Sequence, residues 1–327
     1  MDFPITPVVE RVVERAKITY KLRESFTRTF AQPTTYMTMR DRFDNLLVQR
    51  AVSAGAVLMD GFKVDRLEQD DGGVRVMGGK DTIEGVVLVG ADGANSVVAY
   101  QTGLLREAEI GVGLESEVYT EPRYLEPWAT TVSLDIGTIR GGYMWVFPKG
   151  DHLSIGVAGF ARQTAKMRPL LERYLQYLGL GDYQKRLTKG HRLPRRRRGM
   201  PIQSGRALLI GDAAGLLDFW TGEGIYYALR SAQTAAPAIQ DYLGGKAADL
   251  GQYEASIDRE LMPELHIART LARIGVWLPK LGYSLLKNSD WAWNAGCQTL
   301  RAERSYQDVR RRMGRFTFLF YMAGYRT

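Results

Sequence analysis

One cysteine in 327 residues leaves no partner for a disulfide. It also excludes a cysteine-rich metal cluster, and Cys297 reads as a small helix residue suited to a reducing compartment. Histidine is nearly as scarce. His152, His191 and His266 are far apart and show no ligand spacing, so no metal site is expected. No apolar run is long enough to cross a bilayer, since the most apolar tail segment, residues 316–321, is far too short. Pro4, Pro7, Glu10 and Glu14 interrupt any signal-peptide core. Repeats and low-complexity tracts are missing too. A cytoplasmic protein, at most peripheral to a membrane, is the expectation.

Another absence concerns phosphate chemistry. A strand, a Gly-x-Gly-x-x-Gly turn and a helix would together seat a dinucleotide pyrophosphate. Nothing before Arg40 has that form. The nearest match, Gly111-Val-Gly113-Leu-Glu-Ser116, has serine in third place and runs into Glu117-Val118-Tyr119, which reads as strand.

What is present describes an ordinary globular chain with a large core, 45% hydrophobic and 24% charged. Its net charge of +8 is uneven. Beyond residue 300, seven arginines face only Glu303 and Asp308, and Arg195 to Arg198 form a second basic knot. No recognition motif accompanies them, so nucleic acid is not expected as a partner. An anionic lipid surface or a phosphorylated substrate fits better.

The most informative stretch is residues 206–230. Ala207 to Ile210 is a buried-strand run, and Asp212 stands where strand ends meet ligands in open α/β sheets. Thr221-Gly222-Glu223-Gly224 then opens an apolar periodic run, with Thr221 the expected N-cap. A helix start offers free N–H groups and partial positive charge to a pyrophosphate or a flavin edge.

Elsewhere, Val8, Val9, Val12 and Val13 suggest a short helix, followed by strands up to residue 33. A helix opens at residues 39–47 and stops at Gly55. Residues 64–67 and 74–77 form a hairpin around a Gln69-to-Gly73 tip. Residues 85–90 are a strand breaking at Asp92-Gly93. Between residues 101 and 200 the chain is β-rich, with Tyr143, Trp145 and Phe147 on one strand face. From residue 253 it is helical, and the segment 261–287 carries Arg269, Arg273, Lys280 and Lys287 beside its apolar stripe, as an interfacial helix would.

Gly-Asp-Ala-Ala-Gly followed by Thr-Gly-Glu-Gly-Ile-Tyr-Tyr-Ala resembles the second FAD-binding motif of p-hydroxybenzoate-hydroxylase-type flavoproteins. It is most similar to the geranylgeranyl reductase family. Tyr143-x-Trp145-x-Phe147-Pro148 with Gly156 resembles that family's aromatic strand, where Ala158 replaces a second glycine. Asp92-Gly93 and the Arg40-x-x-Phe43-Asp44 helix are further likenesses. Where family members carry proline, Phe219 and Trp220 stand.

The resemblance implies an α/β (α+β) fold: an incomplete FAD-binding Rossmann-like domain with an inserted, mostly antiparallel substrate sheet and C-terminal helices. The segments are 1–100 and 201–245 for FAD, 101–200 for substrate and 246–327 for the helices. It implies FAD contacts at Arg40, Asp92, Gly93, Gly211, Asp212, Gly222, Glu223 and Gly224. Tyr143, Trp145 and Phe147 would line an isoprenoid chain whose C=C bonds are reduced. NAD(P)H or ferredoxin would supply electrons, and no residue is assigned as proton donor. An unactivated alkene is a poor hydride acceptor, so proton delivery should accompany the hydride. Because the glycine-rich first lobe is missing, the expectation is an N-terminally incomplete or naturally shortened relative. A flavin monooxygenase or a non-catalytic remnant are the alternatives.

Overall fold

The structure, a computed structural model, describes residues 3–106, 108–181, 183–312 and 320. The chain folds into two compact units. One comprises Met1–Asp60, Val112–His191 and Ile274–Ser305, the other Gly61–Gly111, Arg192–Arg273 and Tyr306–Thr327. They interleave the chain more finely than the four sequence segments suggest. The N-terminal strands and the 274–305 helices join the antiparallel sheet rather than standing apart from it.

The first unit is built on a seven-stranded sheet, to which the long strands Glu109–Tyr119 and Lys185–Arg195 contribute at one edge. Next come His152–Phe160, Tyr143–Pro148, Thr131–Ile136, Arg15–Tyr20 and Glu24–Thr29. Thr131–Ile136 with Tyr143–Pro148, Tyr143–Pro148 with His152–Phe160, and Arg15–Tyr20 with Glu24–Thr29 pair antiparallel, whereas Arg15–Tyr20 with Thr131–Ile136 is parallel. Period-two alternation sends Val118, Met144, Val146, Leu153, Ile155 and Val157 to one face. There they meet Met167, Leu171, Tyr174 and Leu175 of the helix Thr164–Tyr177. The opposite face carries Ala16, Ile18, Val132, Leu134, Ile136 and Phe147 against Tyr283, Trp293 and Cys297.

The short helix expected over the first valines is a strand. Only Thr6–Val8 makes a 3-10 turn, and Val9–Val13 pairs antiparallel with Thr35–Thr38. β-Branched valines at adjacent positions favour an extended chain once a partner strand is available. The helix Arg40–Ser53 forms as read, with Gly55 at φ +100° just beyond it.

In the second unit the hairpin gains a third strand: Arg66–Gln69, Val74–Gly78 and Asp81–Gly85 are antiparallel. The sheet that matters for the site is small. Leu88–Gly90 pairs in parallel with Ala207–Leu209, whose other neighbour is Gln203–Ser204. Helices Ile225–Leu243 and Gly251–Glu260, with the start of Met262–Trp277, cover it through Tyr227, Ala235, Tyr253, Ile257 and Leu265. No helix among the described residues is long and apolar enough to cross a membrane. Of the apolar tail 316–321, only Phe320 lies within the described residues.

Candidate functional site

Parallel pairing of Leu88–Gly90 with Ala207–Leu209 puts two strand ends side by side. Their turns, Gly93–Asn95 and Gly211–Ala214, are neighbours, so Asp92, Gly93, Gly211 and Asp212 are brought together. Gly211 has φ +56° and donates its N–H to the buried Ser231 Oγ at 3.0 Å. A methyl at Gly211 would stand 3.1 Å from the Ala228 Cβ, so the turn lies flat against the following helix. At that helix start, a methyl on Gly224 would come within 3.2 Å of Asp212 Oδ1. Asp212 therefore abuts the first helical turn, where N–H groups and the dipole favour electron-rich groups.

The helix begins later than Thr221. Its N-cap is Gly224, and it runs from Ile225 to Leu243 through Pro237. Thr221 belongs instead to a turn organised by Asp218. The Asp218 carboxylate, 2% exposed, accepts N–H bonds from Trp220 at 2.6 Å and Thr221 at 3.1 Å. Its other oxygen accepts from the Tyr306 hydroxyl at 2.6 Å. Backbone bonds Asp218 N to Glu223 O (3.0 Å) and Gly222 N to Asp218 O (3.0 Å) close the loop. Glu223 turns its carboxylate back to cap the Tyr226 N–H at 3.0 Å. Burial pushes the Asp218 carboxyl above the usual carboxylate range, despite the Tyr306, Thr221 and Trp220 hydrogen bonds. Thus an internal acid and a tyrosine from the C-terminal region hold the loop. Phe219 is held between two guanidiniums, Arg195 at 4.3 Å and Arg269 at 5.3 Å.

Asp92 is committed locally. Its oxygens accept from Ser96 Oγ at 2.5 Å and from the N–H groups of Val97 (2.7 Å) and Val98 (3.2 Å). It satisfies the first two N–H groups of the helix Val97–Thr102, whose N-cap is Ser96, and so has a structural task independent of any ligand. Two arginines of the basic knot are not surface groups either: Arg195 and Arg196 are buried. Arg196 bonds Asp258 at 2.5 Å and the Met200 carbonyl at 2.7 Å. Arg269, part of the expected interfacial stripe, is ion-paired to Glu109 at 2.7 Å.

In the first unit, Arg40 is exposed and bonded to Asp44 through two 3.0 Å contacts. On the aromatic strand face Trp145 stacks on Phe147 at 6.0 Å and meets Tyr143 at 5.8 Å with the rings tilted by 53°. Gly156 lies beneath it: a methyl there would be 2.1 Å from the Trp145 ring. Phe147 also packs into the cluster around Tyr283 and Trp293.

Beside this wall runs a polar row that the sequence reading missed. Trp145 Nε1 reaches Ser154 Oγ through a long 3.4 Å bond, Ser154 donates to Glu115, and Glu115 lies 3.4 Å from His191 Nε2. Burial alone would raise the Glu115 carboxyl, yet the His191 and Ser154 hydrogen bonds hold it below its ordinary value. Glu115 in turn raises His191. One residue pair further along, buried His152 sits 2.8 Å from Glu117, off the hydrogen-bonding line, and 2.7 Å from Asp151. The two carboxylates outweigh its burial and raise it. The sequence signal was Glu115, Glu117 and Tyr119 alternating with Gly113-to-Val118 apolar positions on a strand otherwise destined for the interior.

The turn from Gly211 to Gly224 fits the ribityl and ring half of an FAD: a strand-end acid touches a side-chain-free helix start. A diphosphate has no glycine-rich cradle in this sequence.

Residues 6–270 match the family described as FAD binding domain, and the chain belongs to that family of flavin-dependent oxidoreductases. Among relatives, it is 28% identical over 269 residues to the chloroplastic geranylgeranyl diphosphate reductase of Oryza sativa subsp. japonica. That match takes in 73% of this chain and 56% of the plant protein, so the chain spans little more than half the relative's length. Among solved structures, a geranylgeranyl bacteriochlorophyll reductase-like protein from Thermoplasma acidophilum superposes with a TM-score of 0.71 at 20% identity. The match covers 84% of this chain and 74% of that one. A flavin-dependent brominase, Bmp2, reaches 0.65 at 18% identity over 89% of this chain and 77% of its own. These two likenesses are of fold.

Proposed function

We propose that this chain is the ring-handling and substrate-handling part of an FAD-dependent reductase acting on C=C bonds of an isoprenoid lipid chain. The observation that carries the proposal is the Trp145 stack, seated on Gly156 and continuous with Tyr143 and Phe147. Trp145 is buried and Phe147 packs on the Tyr283 and Trp293 cluster, so an elongated hydrocarbon would meet this aromatic row at half-buried Tyr143. The reductase relatives support the same substrate class.

Asp212, with Gly222, Glu223 and Gly224, would hold the ribityl chain and ring edge, and Asp218 with Tyr306 fixes the loop that presents them. Arg40, Asp92 and Gly93 are the remaining proposed contacts. When bound, the flavin would supply the hydride once reduced, either by hydride from NAD(P)H or by two single electrons from ferredoxin together with a proton. The protein's own contribution is a dry apolar wall and a rigid hold.

The test is a visible spectrum after incubation with FAD and gel filtration, followed by anaerobic turnover of geranylgeranyl lipids with reduced flavin. Retained flavin with mass gain of two hydrogens per double bond supports the proposal, and Trp145→Ala should then lower turnover more than flavin retention. Oxygen-dependent NAD(P)H consumption with a hydroxylated product would make the chain a monooxygenase instead. A folded, colourless protein would refute the enzyme reading.

A further inference from the structure

The helix Tyr306–Arg312 is fastened by one side chain. Tyr306 is its single buried residue, and Arg311 and Arg312 at its far end are exposed. Two acids grip Tyr306 from different elements. Asp218, on the loop before the helix Ile225–Leu243, accepts the phenol O–H at 2.6 Å. Glu264, in the first turn of the helix Met262–Trp277, accepts the Tyr306 N–H at 2.5 Å. One hook thus joins the loop that carries Gly222, Glu223 and Gly224 to the C-terminal helix.

The grip is directional, yet it buries acid without counter-charge. Asp218 accepts from the Trp220 and Thr221 amides of its own loop and from Tyr306, and no ion pair reaches it among the described residues. Glu264 is the second acid, and its other oxygen is buried with no hydrogen-bond partner among the described residues. From the helix Ile225–Leu243, the buried Tyr227 phenol feels both acids. Burial first, and then the acids, push the Tyr227 and Tyr306 phenols upward, so both stay protonated. Burying a carboxylate without a cation is costly, and that cost ends when the hook opens and water reaches Asp218. Burial holds the docked Asp218 carboxyl above its ordinary range. In the open loop it returns to that range, so low pH favours the docked form and rising pH the open one.

We propose that Tyr306 is a latch: docked between Asp218 and Glu264 it holds the Trp220-to-Gly224 loop, and its release frees that loop and the C-terminal helix together. Rising pH is the release signal. That the latch governs access to a flavin ring rests on the reading of this loop as ring-facing. The latch itself does not, so it is tested in the flavin-free full chain.

The experiment is amide hydrogen exchange from acid to neutral pH, corrected for the intrinsic pH dependence of exchange. Protection at Trp220 and Thr221 and at residues 310–312 is expected to fall together as pH rises. The fall should reach up to about tenfold per pH unit between the ordinary carboxylate value and the raised docked one, with little change beyond it. Asp218→Asn keeps an acceptor for Tyr306 without the charge, so both profiles should become flat. Tyr306→Phe should lower protection in both segments about threefold or more at every pH, as one hydrogen bond is lost. Riboflavin, which carries the ring and ribityl chain alone, should raise protection in both segments. If riboflavin changes neither, while the two segments still open together, the ring assignment falls and the latch stands. Protection that falls in one segment alone, or a pH profile that Asp218→Asn leaves unchanged, would overturn the latch.

Discussion

Replacing Asp218 tests how the Trp220-to-Gly224 loop is held. In Asp218→Ala the Trp220 and Thr221 N–H groups and the buried Tyr306 hydroxyl lose their common acceptor. Each buried donor left unmade costs about 1–3 kcal/mol, with the lower end for the two amides that water can partly reach, so about 3–5 kcal/mol is expected in all. Tyr306→Phe removes one hydrogen bond to a carboxylate, worth about 1.5–3 kcal/mol. Asp218→Asn keeps an acceptor of the same shape and removes a charge that is costly to bury, so its effect should stay within about 1 kcal/mol at neutral pH. The pH dependence has a definite sign. Because the folded carboxyl is raised above its unfolded value, its contribution is present at low pH and lost as pH rises through the folded value. The asparagine variant escapes that loss, so it should gain on the parent as pH increases. Urea unfolding followed by circular dichroism gives the energies, and hydrogen exchange at the Trp220 and Thr221 amides reads the loop itself. If Asp218→Ala unfolds within about 0.5 kcal/mol of the parent, a difference typical of unconstrained surface sites, and those amides exchange no faster, the loop is held by something else.

Two further perturbations follow. Gly156→Ala drives a methyl into the buried Trp145 ring, 2.1 Å away, and should cost about 1–3 kcal/mol as an overpacked site; a thermal melt reads the loss, and Trp145→Leu in the same chain should restore part of it. The raised His152 contributes stability that is present below the unfolded histidine value and lost as pH rises through its folded value. His191 acts with the same sign and His266, lowered by burial and by Arg269, Arg273 and Arg198, with the opposite one. His152→Gln should therefore flatten the fall in unfolding free energy above neutral pH, and an unchanged slope in denaturant titrations across that range would refute the Glu117–His152–Asp151 pairing.

Local chemistry was enough to place the helix Arg40–Ser53, the hairpin tip at Gly72-Gly73, the strand ending at Gly211-Asp212 and the aromatic alternation of Tyr143, Trp145 and Phe147. Each of these depends on periodicity or on glycine's backbone freedom within a few residues, and both are written in sequence. The start of the helix after Thr221 was misplaced, because a threonine before an apolar run has the local form of a cap. What outbid it was an Asp218 carboxylate anchored by Tyr306, 88 residues away along the chain. Likewise Val9–Val13 became a strand because Thr35–Thr38 came to lie beside it. The buried fate of Arg195 and Arg196 and the Glu115–Ser154 row share that origin. Sequence patterning sets which side chains point together along one element. Only the packing of distant elements decides which of those faces is covered, and so which polar groups find partners.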